Sequence, residues 1–251
     1  MKNLNHSINF FERLSEIINQ KQDARVSKLI LGWHASFISA SDGRAGVGFV
    51  PDSRVEPHTA RAIHTEELLN ASLKKLAALY VSPFPQEFAA ASAACSALVP
   101  FDSSGGGLPL DAVMTCARSD KVAVLGYERD LLPFMSDWGW RFAIFDDRFA
   151  GRQNCFPQDE FSRGVREAEW VWLSPEAIRD RWLLSTQNIL REKKGCFIQG
   201  PGLPATPEIF FEVGVNHLVV PTLTGDKSEI EAHVSAGGSA WLCRGLDWKV
   251  F

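Results

Sequence analysis

The chain has 251 residues, 45% hydrophobic and 22% charged, with a formal net charge of -4. That length supports one large domain or two small ones with a substantial buried core. No basic face and no block of like charge is visible, which argues against an electrostatic grip on nucleic acid.

The opening stretch "MKNLNHSINFFERLSEIINQ" sets Glu12 and Glu16 among its apolar residues. It reads as neither a membrane span nor a signal peptide, and a cytoplasmic protein is expected. Ile8, Phe11, Leu14, Ile17 and Ile18 recur at helical spacing. Residues 26–50 change period and predict short strands over 28–31, 35–40 and 45–50, with Asp42–Gly43 making a hairpin turn between the last two. Leu68, Leu69, Leu73, Leu76 and Leu79 return to helical spacing, with Thr65 as the candidate cap. "PQEFAAASAACSALV" predicts a second helix whose alanines allow close packing. This is an α+β unit with an antiparallel meander.

"PFDSSGGGLPLD", residues 100–111, cannot extend a helix. It reads as an interdomain connection or a loop beside a cleft; a plain surface loop fits equally well. The expected domains are therefore 1–105 and 106–251. In the second, "KVAVLGY", "RFAIFDD", "EWVWLS", "GCFIQG" and "VNHLVVP" alternate with helical stretches, one of them long, "PEAIRDRWLLSTQNILREK". That alternation predicts an α/β fold with an open, mostly parallel sheet covered by helices on both faces. Such sheets bind ligands beyond the carboxyl ends of their strands, which singles out Gly126, Tyr127, Asp146, Asp147, Ser174, Gly200 to Gly202, Pro221 and Thr222.

Within "QGPGLPATPEIF", residues 199–210, the lysine of a phosphate loop is missing and the prolines remove N–H donors. It reads as a stiff strand-to-helix turn walling a cleft. The backbone of Gly200, Pro201 and Gly202, with the helix start at Thr206, is the expected anion contact. His34 and Glu87 are the contributors expected from the first domain. A lone Gly126 in place of G-x-G-x-x-G, with Glu128 near the helix start, disfavours a dinucleotide. An adenosyl donor, its ribose held by Asp146, is the alternative, an enzyme of small-molecule transfer; the plainer role for Asp146 is to cap its own turn.

The five cysteines are odd in number and widely spaced, and read as small buried hydrophobes, with Cys155 beside Arg152 the best reactive candidate. His58, His64, His217 and His233 show no paired ligand spacing. Trp138, Trp140, Trp170, Trp172 and Trp182 crowd one half of the chain. Core packing is their favoured role; an exposed patch would make a non-catalytic interaction protein, or the seam of a homodimer.

"GPGLPATPEIFFEVGVNHLVV" followed by "HVSAGG", with "KVAVLGYERDLLPFMSDWGWRFAIFDD" before it, resembles the heavy-metal chelation family of domains of unknown function. "LILGWHASFISASDGRAGVGF" and "FAAASAACSAL" are similar to the companion domain that precedes it in that family. The resemblance implies an enolase-N-like α+β domain, then a Rossmann-like domain, with a cleft between them. It also implies binding of a heavy metal or a metal-chelating small molecule, and a transition metal as the cofactor to look for. The chain departs from the family pattern after "WVWLS", where Ser174 keeps the small hydroxyl but Pro175 follows it.

Overall fold

The computed structural model describes residues 10–51, 68, 70–109, 114–116, 119–126 and 141–251. Helix α1, Phe10–Gln20, buries Phe10, Leu14 and Ile18, the stripe that its sequence period requires. Strands β1 (Val26–Leu31), β2 (Ala35–Ala40) and β3 (Ala45–Phe49) form an antiparallel sheet in the order β1-β2-β3. Gly43 closes the predicted hairpin, its N–H bonding to the Ala40 carbonyl. The next helix starts later than its periodicity suggests. Ser72 accepts from Lys75 N–H and caps α2, Leu73–Ala77; Thr65, the expected cap, lies outside the described residues, as does the structure of Ile8. Helix α3, Pro85–Leu98, is buried along nearly its whole length.

Residue alternation splits the small sheet between two partners. Ile38 and Ala40 belong to the apolar cluster that holds the alanines of α3. Ala35, Phe37 and Val47 face the other way, into a second cluster containing Val234 and Ile230. Close approach needs residues without bulk: a side chain at Gly46 would meet the Ala93 carbonyl at 2.3 Å, and one at Gly48 the Ala93 N–H at 2.4 Å. This is why the alanine helix and the glycine strand occur together.

The larger sheet has seven strands in the order β10-β9-β8-β7-β4-β5-β6. They are β4 (Lys121–Leu125), β5 (Arg141–Phe145), β6 (Cys155–Phe156), β7 (Trp170–Leu173), β8 (Gly195–Gln199), β9 (His217–Leu223) and β10 (Leu246–Val250). All neighbouring pairs are parallel except β9 with β10. The five expected strands are present; β6 and the antiparallel edge strand β10 are additions. Helices α4 (Phe161–Glu167), α5 (Glu176–Arg179), α6 (Trp182–Leu190), α7 (Pro207–Glu212) and α8 (Lys227–Ser235) connect them.

One expectation changes here. The long helix anticipated after β7 is broken at Arg181, which adopts φ 64°. Its guanidinium reaches the Val81 carbonyl at 2.8 Å and lies 3.9 Å over the Phe11 ring, and these long-range contacts hold the left-handed residue in place. Within the glycine-rich stretch, Gly107 and Val250 exchange backbone hydrogen bonds at 2.8 and 3.0 Å at the sheet edge. Trp170 and Trp172 are buried and Trp182 packs on the core, so core packing is their role; Trp138 and Trp140 lie outside the described residues. No helix among the described residues is long and apolar enough to cross a membrane.

Candidate functional site

Strand order turns outward in opposite directions on either side of the β4–β7 pair. This is the switch point at which doubly wound sheets leave a crevice beyond their carboxyl ends. Val124, Ile144, Trp172 and Phe197, near the ends of β4, β5, β7 and β8, share one apolar cluster. Two residues further, the same positions read Gly126, Asp146, Ser174 and Gln199. Hydrogen bonds keep the strands in line to that level, from Gly126 N–H to the Phe145 carbonyl and from Ser174 N–H to the Leu125 carbonyl. An apolar floor thus ends in a polar row.

Gly126 sits at φ +85°, and a Cβ there would come 2.6 Å from Ser174 Oγ and 3.4 Å from Glu176 Oε2. The residue is glycine because the chain turns left-handed against a serine and a carboxyl at once. Around this point lie five ionisable side chains. Asp146, 5% exposed, receives the Arg148 guanidinium in a bidentate pair, from Nε at 2.8 and 3.0 Å and from Nη2. It also accepts Arg148 N–H at 2.9 Å, so it does cap its own turn. Arg179 binds the neighbouring Asp180 through Nε and Nη2 at 2.6 and 2.9 Å. Glu176 is buried and makes no ion pair within 4.0 Å among the described residues. Burial pushes its carboxyl up from the ordinary value; Arg148 and Arg179 oppose the rise, and Asp180 and Asp146 add to it.

The structure therefore brings Gly126, Asp146 and Ser174 together, as expected from the strand ends. Tyr127 lies outside the described residues. Gly200, Pro201 and Gly202 are buried, and a Cβ at Gly200 would come 2.4 Å from Pro175 Cγ. Gly202, at φ +81°, would place a Cβ 2.5 Å from Ser92 Cβ and 3.0 Å from Gly48 Cα, and its carbonyl accepts from Tyr80 Oη at 3.3 Å. Thr206 is buried with Oγ1 unpartnered, and the helix after it has only six residues. His34 sits on the exposed β1–β2 turn, whose neighbours Gly32 and Trp33 pack on Val234 and Gly237 rather than on the crevice. Glu87 accepts from Ser82 Oγ at 2.5 Å in the first turn of α3. Sequence reasoning missed Arg148, Glu176, Arg179 and Gln199. Their signal was the strand-end rule itself, applied one to five residues further into "FDDR" and "SPEAIRD" and one residue earlier in "FIQG".

Among the described residues the donor set does not fit a heavy metal held directly by side chains. Soft metals need thiolate or imidazole ligands. All five cysteines are free and buried. Burial raises the thiols of Cys95 and Cys196, pushes that of Cys116 up to about 12, and raises that of Cys155 despite Arg152, which removes Cys155 as a reactive candidate. Among the described residues no group of three His, Cys, Asp or Glu is placed to hold an ion; His58 and His64 lie outside them. A cavity of about 250 Å³ runs along α4 beside Ala123, Ala143 and Gly164. It lies beside the strands rather than beyond their carboxyl ends, and small side chains account for it.

The comparisons agree with this architecture. The family model DUF364, described as "Putative heavy-metal chelation", matches residues 108–249, and DUF4213, with the same description, matches 14–99. A crystal structure of a DUF364 protein of unknown function from Desulfitobacterium hafniense DCB-2 is similar, at 18% identity and a TM-score of 0.74. It covers 98% of this chain and 99% of its own. Another, from Pyrococcus horikoshii, shares 14% identity with a TM-score of 0.75, covering 96% of this chain and 97% of its own. At these identities the likeness concerns the fold. No curated protein matches the sequence. With more than half of its length matched by that family model, and the mixed α/β fold of its solved members, the chain belongs to the DUF364 family.

Proposed function

We propose that the protein binds a small metal-chelating molecule, alone or carrying its metal, in the crevice beyond the carboxyl ends of β4, β5 and β7. The observation that carries this reading is the grouping of Asp146, Arg148, Glu176, Arg179 and Asp180 around Gly126. Two arginines in that group are already balanced by Asp146 and Asp180, which leaves Glu176 buried without an ion pair among the described residues. Such a carboxyl is suited to a ligand that brings positive charge or donates a proton. The family description supports a metal connection, and the poor fit of the described side-chain donors supports coordination of the metal by the ligand itself. Arg148 and Arg179 would then contact the anionic groups by which chelators hold metals.

The adenosyl-transfer reading loses support at Asp146, whose carboxylate is occupied by Arg148 and by its own turn. Elemental analysis and native mass spectrometry of the purified protein test the proposal. A metal or chelator that accompanies the wild type and is lost in Arg148→Ala is the expected result. Absence of any such species, with no thermal stabilisation by metals or chelators, would sink it.

A further inference from the structure

The polar row at the strand ends contains two buried groups with nothing to bind. Among the described residues Ser174 Oγ and Gln199 Nε2 have no hydrogen-bond partner, although Ser174 is 3% and Gln199 1% exposed. Buried polar groups are nearly always satisfied, and leaving one unmade costs stability. Here two occur side by side: Leu173 and Ile198 are register partners on β7 and β8, and Ser174 and Gln199 are the next residues of each.

The orientation of the Gln199 amide follows from chemistry. Trp172 Nε1 lies 2.9 Å from Gln199 Oε1. An indole N–H can only donate, so the amide must turn its oxygen toward it. Its NH2 is thereby fixed as a donor pointing elsewhere. The Trp172 ring is itself held by stacking on Phe197, centroids 4.5 Å apart. The serine hydroxyl lies beside the Gly126 turn, facing the same crevice that Glu176 borders.

We infer that Ser174 and Gln199 form a two-donor subsite for an sp2 oxygen, the carbonyl or carboxyl oxygen of the molecule bound in the crevice. One such oxygen has two lone pairs, and two neutral donors on adjacent strands, about 4.8 Å apart, match it. A phosphate would need cationic or repeated N–H partners at this subsite, whereas Ser174 and Gln199 offer a neutral hydroxyl and a neutral amide. Trp172 is a positioning residue that selects which end of the Gln199 amide faces the ligand. The inference rests on the crevice being the binding site and adds the chemical class of the group that enters deepest.

The test uses the full chain with three probes: acetohydroxamate, oxalate and inorganic phosphate. Binding is read by calorimetry and by the side-chain amide resonance of Gln199. Acetohydroxamate and oxalate are expected to shift that resonance, phosphate to leave it unmoved. Ser174→Ala is expected to weaken the two carbonyl probes about tenfold while melting no lower than wild type without a probe, since it loses no internal hydrogen bond. Gln199→Glu keeps an acceptor for Trp172, replaces the donor nitrogen by oxygen, and is expected to abolish oxalate binding. A lower melting temperature for unliganded Ser174→Ala would overturn the inference, as would a Gln199 resonance moved by phosphate alone. If Arg148→Ala loses the probes but Ser174→Ala and Gln199→Glu bind them like wild type, the subsite falls and the crevice stands. If wild type binds none of the three at millimolar concentration, both fall.

Discussion

Ser92 and Ser174 are both buried serines beside a left-handed glycine, and they live in opposite circumstances. Ser92 accepts Phe49 N–H at 2.9 Å and lies within hydrogen-bond reach of the Ala89 and Phe49 carbonyls at 3.0 and 3.2 Å. It also fills the space that Gly202 leaves open. The Ser174 hydroxyl lies against the Gly126 turn and has no hydrogen-bond partner among the described residues. The first pair closes the amino-terminal unit onto the large sheet. The second sits where that sheet ends. Small polar residues next to glycine therefore signal two things, a packed seam or a prepared vacancy for a guest, and the hydroxyl's hydrogen bonds separate them.

The comparison breaks most severely at the seam. Gly202→Ala combines a positive φ with a Cβ pressed on Ser92 and Gly48, and should cost about 3 kcal/mol or more in denaturant unfolding. Ser92→Ala comes next. It orphans the Phe49 N–H inside the core and should cost about 2 kcal/mol, against no loss for Ser174→Ala. Equal losses at the two serines would erase the distinction.

A smaller effect is expected at the crevice carboxyl. Because the folded state raises the Glu176 pKa, ionising it works against folding once pH rises through its unfolded value near 4.5. Glu176→Gln should therefore raise the melting temperature at pH 7, the gain fading as pH falls below that value. The smallest change concerns His217, stacked on Phe197 at 4.5 Å between centroids. Burial lowers its pKa from 6.5. The unfolded chain takes up the proton first, so the stability of the neutral ring is present above pH 6.5 and lost as pH falls. His217→Phe keeps the stack and should flatten the acid limb of the stability–pH curve.

The parallel strands were legible in the sequence because both their faces are covered, giving short apolar runs such as "VAVL" and "CFI" between helical periods. The antiparallel edge strand β10 was not. "LDWKV" carries two charged residues within five and is buried only at Leu246 and Trp248, so no apolar run marks it. The break at Arg181 was hidden for a different reason. Its cause is not local propensity but distant contacts with Val81 and Phe11, which no window of sequence contains. The crevice was half readable. Strand ends pointed to Gly126, Asp146 and Ser174, whereas Gln199 is meaningful only through an indole on the next strand.

The bond from the Trp172 indole to Gln199 has an optical consequence. Polarisation of the amide by a guest oxygen would pass directly to the indole N–H, whose ring is rigidly stacked and shielded from water. Emission from this one tryptophan, isolated by replacing the others, should therefore change with occupancy of the crevice, and the protein would carry a built-in fluorescent gauge of its own ligand.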